Sequence, residues 1–379
     1  MTRDFVRATR SYETWLGTQV RIVRSDLAYK HEQMAVDPFP FLRSTFYRWV
    51  EIFPELCPEL AGAPRLLAVG DLHVENFGTW RDTEGRLIWG INDFDEASPL
   101  PYTNDLVRLA TSARLAVAHG RLGSRVSDLI EQLLDGYGRG LGAGGRALVL
   151  AEHNVVLRKY AEAAIKEPVN FWKRLEQLPA VRGAAPPAAV ALLERSLPAP
   201  GLKYVILRRR SGLGSLGRPR VLALADWNGG NVVREAKPIL QSAATLGEAS
   251  WTPGSVFYSD IVNQAVRVPD PGLRVEDGWV VRRLAPDCVR IELPSMSNRT
   301  EHLLLNAMGW ETANVHLGSP ASVPAILKDL AQRPKGWLSE AARTMSKATK
   351  DDFQEWKASG LGSPKPKPAP LRRSHAARP

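Results

Sequence analysis

Cysteine is almost missing from this sequence. The 379 residues hold two, Cys57 and Cys288, too few and too far apart for a disulfide framework or a cysteine-based zinc module. No apolar stretch approaches the ~18 consecutive residues of a membrane-spanning helix, so no membrane partner is expected. The N-terminal MTRDFVRATR has no apolar segment after its charges, so a secretory leader is not expected either. With two isolated thiols, the expected compartment is the reducing cytoplasm. The seven histidines show no H-x-H or H-E-x-x-H spacing, which argues against a zinc hydrolase.

The remaining composition, 44% hydrophobic and 24% charged, is that of a globular protein. The length suits two or three units of ~150 residues. The net charge of +10 is unevenly placed. Residues 331–379 carry 11 Lys and Arg against 4 Asp and Glu, leaving 39 against 36 for the rest. The body is therefore close to neutral. The excess sits on a tail that is expected to be solvated, with contact to nucleic acid or protein only weakly indicated.

Residues 66–69 (Leu-Leu-Ala-Val) and 87–91 (Leu-Ile-Trp-Gly-Ile) read as short buried strands. The turn Asp82-Thr83-Glu84-Gly85 between them suggests a hairpin-like return. The spacing of Leu106, Leu109, Ala110, Ala113 and Val117 predicts a helix over 105–118, with Thr103 or Asn104 as its N-cap. Helical patterns continue to about residue 178, which closes the expected first half, 1–178. Residues 179–201, rich in Pro and Ala, are expected to be a linker. A β-rich unit over 202–300 follows, with strands at Tyr204–Leu207, Val221–Ala225, Asn231–Lys237 and Trp279–Leu284. Helices are expected again at Thr300–Val315 and Val323–Lys347 within 301–358, and 359–379 reads as a disordered basic tail.

The strongest chemical signal is Gly70-Asp71-Leu72-His73-Val74-Glu75-Asn76, followed by Asn92-Asp93-Phe94-Asp95. Phosphoryl transfer needs a carboxylate to take the proton of the attacking hydroxyl, and hard oxygen ligands to hold Mg²⁺ against nucleotide phosphates. In kinase-type sites one loop supplies an Asp and an Asn five residues later, as Asp71 and Asn76 do, and a further Asp after a short strand binds the bridging metal, as Asp93 would. Residues of these types also cap ordinary turns. His73 reads as a loop organiser. Glu75, Asp95 and Glu96 crowd the same segment, either near a second metal or as solvated acids.

Residues 70–110, GDLHVENFG through NDFDEASPLPYTNDLVRLATS, resemble the catalytic segment of the aminoglycoside phosphotransferase and choline kinase group. That resemblance implies that Asp105 is a buried carboxylate bracing the catalytic loop. The chain also resembles an uncharacterised bacterial family, domain of unknown function twenty-two fifty-two. The likeness rests on FxFxR at Phe39–Arg43, the two acidic motifs, the Gly-rich segment and REAK at Arg234–Lys237. It covers most of residues 30–320 and implies no substrate.

Gly212-Leu213-Gly214-Ser215-Leu216-Gly217 is a G-x-G-x-x-G followed by Arg218-Pro219-Arg220 and a β-prone run. Strand–glycines–strand suits a loop that covers phosphates with its backbone N–H groups, whereas a dinucleotide-binding fold would need a helix there. Gly212, Gly214, Ser215 and Gly217 are thus expected at the nucleotide. Arg208-Arg209-Arg210 could contact phosphate or form a solvated face. The strand after it offers Arg234 or Lys237 as phosphate counter-charge. They differ by an odd number and so face opposite ways in a regular strand, and the sequence does not choose between them. Glu248 is a weak match for the helix Glu that partners a kinase lysine.

The glycines follow the catalytic loop by more than a hundred residues, the reverse of kinase order. The expectation is therefore an α+β, two-lobed protein-kinase-like fold in circularly permuted order, with the catalytic helical lobe first and the glycine-loop β lobe second. Asn306–Gly318 would then be the helix leading into the catalytic loop. The expected function is transfer of a phosphoryl group from ATP or another purine nucleoside triphosphate, with Mg²⁺, to a hydroxyl of an unidentified acceptor. The alternatives are a catalytically inactive nucleotide-binding module, favoured over a metal-dependent phosphoesterase.

Overall fold

The structure is a computed structural model, and it describes residues 4–181, 183–246, 255–290 and 297–363. It is a mixed α+β architecture of helices and several antiparallel sheets. Among the described residues no helix is long and apolar enough to cross a membrane.

Five helices open the chain: α1 (Phe5–Gln19), α2 (Arg24–Met34), α3 (Pro38–Ser44), α4 (Phe46–Leu56) and α5 (Pro58–Ala61). Asp4 and Asp37 start two of them as N-caps, accepting from the N–H groups of Arg7 and Phe39. Strands β1 (Arg65–Ala68), β2 (Phe77–Arg81), β3 (Leu87–Ile91) and β4 (Ser98–Pro101) follow, then α6 (Tyr102–Ala118). The Asp82–Gly85 turn does close a hairpin, but its arms are β2 and β3; β1 pairs with β4 instead. Strand β2, Phe-Gly-Thr-Trp-Arg, was hidden because it begins directly after the loop motif. Helix α6 starts three residues before Asp105 with Pro101 as its cap. The expected caps lie inside the helix, where Thr103 Oγ1 donates to Leu60 O and Asn104 Nδ2 to Gly70 O.

Next come α7 (Val126–Gly142), β5 (Leu148–Val149) on the edge of β3, α8 (Leu150–His153), α9 (Val155–Ala164) and α10 (Pro168–Glu176). The 179–201 segment is not a simple linker. It contains α11 (Pro187–Ser196), because proline is tolerated in a first helical turn and the Ala-Leu run behind it favours helix. Strands β6 (Tyr204–Arg208), β7 (Val221–Trp227), β8 (Gly230–Pro238), β9 (Arg274–Glu276) and β10 (Trp279–Leu284) form one antiparallel sheet in the order β6-β7-β8-β10-β9, with α12 (Tyr258–Gln264) between β8 and β9. One face of the sheet packs Val221, Ala223, Ala236 and Val281 against Ala189, Leu192 and Leu193 of α11. The other packs Leu222, Leu224 and Val233 against Phe171 and Leu175 of α10.

The last elements among the described residues are α13 (Asn298–His316), α14 (Val323–Gln332) and α15 (Trp337–Ala358). The expected 323–347 helix is two helices because Pro334 and Gly336, the latter at φ 82°, break it. Helices α7 and α13 approach closely: a Cβ at Gly136 would lie 2.0 Å from Asn306 O, and one at Gly309 2.0 Å from Leu133 O. Helix α15 returns to the N-terminus, with Trp356 edge-on to Phe5 at 5.8 Å and Arg48 gripping Asp352 at 2.9 and 3.1 Å. Of the expected tail, residues 359–363 are ordered onto this region, with Gly362 buried against Ala35 and Trp356. Residues 364–379 lie outside the described residues.

Candidate functional site

The site is built on the loop between β1 and β2. Gly70 takes φ 82°, and a Cβ there would stand 2.2 Å from Glu96 O, so only glycine fits. Helix α6 braces this loop with a polar stripe at positions i, i+3 and i+7, Asp105, Arg108 and Ser112. Asp105 accepts from the N–H groups of Val69 and Gly70 at 2.7 and 2.9 Å. Arg108 donates from Nε and Nη2 to Asp71 Oδ1 at 2.8 and 2.5 Å. Ser112 Oγ accepts from Val74 N at 3.0 Å. Asp105 is itself held by His316 of α13, Nε2 to Oδ2 at 3.1 Å, while Tyr137 contacts the other ring nitrogen at 2.8 Å. Arg108 is fully buried between Phe46 and Trp49, about 5 Å from each ring, so Asp71 meets a fixed cation.

Asp71 Oδ1 is thereby occupied, and Oδ2 is the oxygen nearest the glycine loop: a Cβ at Gly214 would lie 3.4 Å from it. Burial pushes the Asp71 carboxyl up to about 6, with Arg108 opposing and Glu96 and Asp93 adding to the rise. Asn76 turns its Nδ2 to the carbonyls of Asp71 and Asp93, both at 3.2 Å. Its Oδ1 is buried and meets no donor among the described residues. His73 Nδ1 accepts from Glu75 N at 3.2 Å. Burial, together with Arg43, Arg108 and Arg290, holds its imidazole well below the usual range, so it is neutral.

Strand β8 places Lys237 and Arg234 on opposite faces of its sheet. Lys237 reaches across the cleft to Asp93 Oδ1 at 2.9 Å and Asp95 Oδ1 at 2.6 Å. Arg234 does not reach it; facing the opposite way, it donates to Ser196 O at the end of α11. Burial alone would raise Asp93, but Lys237 and Arg282 outweigh it and hold this carboxyl low. Burial and the neighbouring Asp93 charge raise Asp95. Glu235, on the same face as Lys237, binds Arg209 and Arg220 at 2.7 and 2.6 Å. Glu248 lies outside the described residues.

The glycine segment is the connection between β6 and β7. Gly212, Gly214 and Ser215 line the cleft, and Ser215 Oγ accepts from Arg220 at 2.9 Å. Gly217 does not line it: its carbonyl accepts from Val23 N at 2.8 Å, and it packs on Leu27. Helix α2 thus anchors the segment. Asp26 pairs with Arg208 and, at 3.0 Å, with Arg210. Lys30, almost fully buried, donates to Gly214 O at 3.3 Å, and burial followed by the Arg218 charge lowers it to about 8. Arg218 in turn reaches Glu96 at 3.2 Å, and Glu96 caps Ser242 and Ala243.

The resulting cleft, about 500 Å³, is lined by Asp71, Asn76, Asp93, Lys237 and the 212–215 backbone together. Both distant motifs therefore face one space. The groups that sequence reasoning missed are Arg108, Arg218, Lys30 and His316. Arg108 had a signal, its i+3 spacing from Asp105; the others meet the site only through tertiary packing. Among the described residues, no group of three or more His, Cys, Asp or Glu side chains is arranged to hold a metal.

Residues 21–170 match the model of the DUF2252 family, described as uncharacterized protein conserved in bacteria. The match includes α2, the Asp71 loop, Asp93 and α6, and ends before the glycine segment. Searches of curated proteins and of solved structures each returned no match.

Proposed function

We propose that the protein is a phosphotransferase of the protein-kinase-like kind in permuted order, moving a phosphoryl group from a purine nucleoside triphosphate to an acceptor hydroxyl. The observation that carries this reading is the ion pair of Lys237 with Asp93 beneath the glycine segment and beside Asp71. The two-lobed reading is supported by the five-stranded sheet flanked by α11, and by the β1–α6 segment with its buried Asp105 brace. The donor set fits Mg²⁺, because Asn76 Oδ1 is buried without a donor among the described residues and nearly half of the Asp93 side chain opens into the cleft. Such an ion needs only one or two protein oxygens when phosphates complete its shell. Bound there, it would neutralise charge on the transferring phosphate.

In this reading Asp71 Oδ2 accepts the proton of the acceptor hydroxyl while Arg108 fixes Oδ1. The acceptor oxygen bonds to the γ-phosphorus as the bond from that phosphorus to the β–γ bridging oxygen breaks, releasing the diphosphate. Lys237 supplies counter-charge to the phosphates, and N–H groups of the 212–215 backbone cover them. Asp105 acts at one remove, by holding the backbone that carries Asp71. The test is turnover of labelled ATP with and without Mg²⁺, in wild type and Asp93→Ala. Consumption that needs both the metal and Asp93 supports the reading; absence of ATP binding defeats it.

A second reading, a nucleotide-binding module without turnover, is favoured by one feature. Lys237 is saturated by two carboxylates and Asp71 Oδ1 by Arg108. Thermal stabilisation by ATP that persists in Asp71→Asn, with no product formed in wild type, would select it.

A further inference from the structure

Cations lining the cleft gather on three separate carboxylate clusters, one of them Glu235, which takes Arg209 and Arg220 on different oxygens. Lys237 and Arg218 are gathered on Asp93, Asp95 and Glu96. Arg43 and Arg290 are gathered on Glu75, and both contact the same oxygen, Oε2, at 2.5 and 2.7 Å. One carboxylate oxygen between two guanidiniums leaves a positive surplus at that end. Arg108 is already matched by Asp71, and His73 is neutral. Arg43 is nearly buried, stacks over Phe39 at 5.7 Å, and its Nε meets no acceptor among the described residues. A buried guanidinium with an unused N–H is costly unless something accepts from it, and a fork of this shape suits a carboxylate or phosphate. Arg290 is half-exposed. The surplus lies beside Glu75 of the loop that carries Asp71, whereas the triphosphate of the proposed reaction is matched by Lys237.

We infer that Arg43 and Arg290 form an oxyanion subsite for the acceptor, so that the molecule receiving the phosphoryl group already carries a phosphate or carboxylate near its hydroxyl. Glu75 is the built-in competitor that the anion displaces. The inference rests on the phosphotransferase reading for the word acceptor, but the anion subsite stands on its own geometry.

The experiment is calorimetric titration of the full chain with inorganic phosphate and, in a separate arm, acetate. Both use matched chloride, with and without saturating Mg²⁺ and a non-hydrolysable ATP analogue. Phosphate or acetate binding is expected in the presence of the analogue, and the stronger arm tells which anion the subsite takes. Arg290→Gln, at a half-exposed position, is expected to weaken anion binding about tenfold or more while the analogue still binds. Lys237→Met is expected to do the opposite. The inference is overturned if wild type binds neither anion beside the analogue, or if Arg290→Gln binds them as tightly as wild type. Failure of the analogue to bind while anion binding still depends on Arg290 would remove the phosphotransferase reading and leave the subsite standing.

Discussion

Removing the carboxylate of Asp105, which does not itself line the cleft, should loosen the Asp71 loop. Asp105 is fully buried and accepts two backbone N–H groups, from Val69 and Gly70. Asp105→Ala leaves both donors buried and unmatched, at about 1–3 kcal/mol each, so the local opening energy should fall by about 2–6 kcal/mol. Because 1.4 kcal/mol is tenfold, amide exchange at these two positions should speed up between about 30-fold and 20,000-fold. The assay is hydrogen–deuterium exchange of a peptide spanning 66–74, compared with one from α10 as an internal control. Asp105→Asn keeps one acceptor oxygen and should fall between. Unchanged protection at 69–70 in Asp105→Ala would refute the claim that α6 holds this loop through that side chain.

Other outcomes follow from the same geometry. In the proposed phosphotransferase reading, with Asp71 near 6, its base form is lost on acidification, so kcat/KM for the acceptor should fall tenfold per pH unit below about 6 and be level above it. Glu311 is buried, and its carboxyl is raised from 4.5 to about 7. Between those values the folded chain holds a proton that the unfolded chain has lost. Stability should therefore decline as pH rises through that window, and Glu311→Gln should flatten the profile in thermal melts. Lys30→Met removes the contact to Gly214 O; limited proteolysis should then cut within 212–217 sooner than in wild type, with cleavage elsewhere unchanged. Gly309→Ala puts a methyl 2.0 Å from Leu133 O and should lower the melting temperature by several degrees, corresponding to about 1–3 kcal/mol.

Much of the local architecture was legible in the chain. The strands at 87–91 and 279–284 were readable to the residue, because a short apolar run between turn residues has few other uses. The acidic loop was visible because Asp71, Asn76 and Asp93 are spaced by the backbone itself. Helix α11 was obscured because two prolines read as a break when they stood at a beginning. Which of Arg234 and Lys237 faces the cleft depends on the sheet's orientation, set by α10 and α11 covering opposite faces. The contributions of Lys30 and His316 lay beyond any local pattern, since each reaches the site from an element far along the chain.

The meeting of the first and last helices has a consequence for how the protein is made. Phe5 of α1 rests on Trp356, and Val6 N donates to Glu355. The aromatic face shared by α1, α3 and α4, including Phe5, Phe41 and Tyr47, therefore waits for its α15 partner while some three hundred residues are still to be added. Native closure can happen only after the ribosome has released α15. A nascent chain stalled before that point should be a strong client for chaperones that recognise exposed aromatic surface.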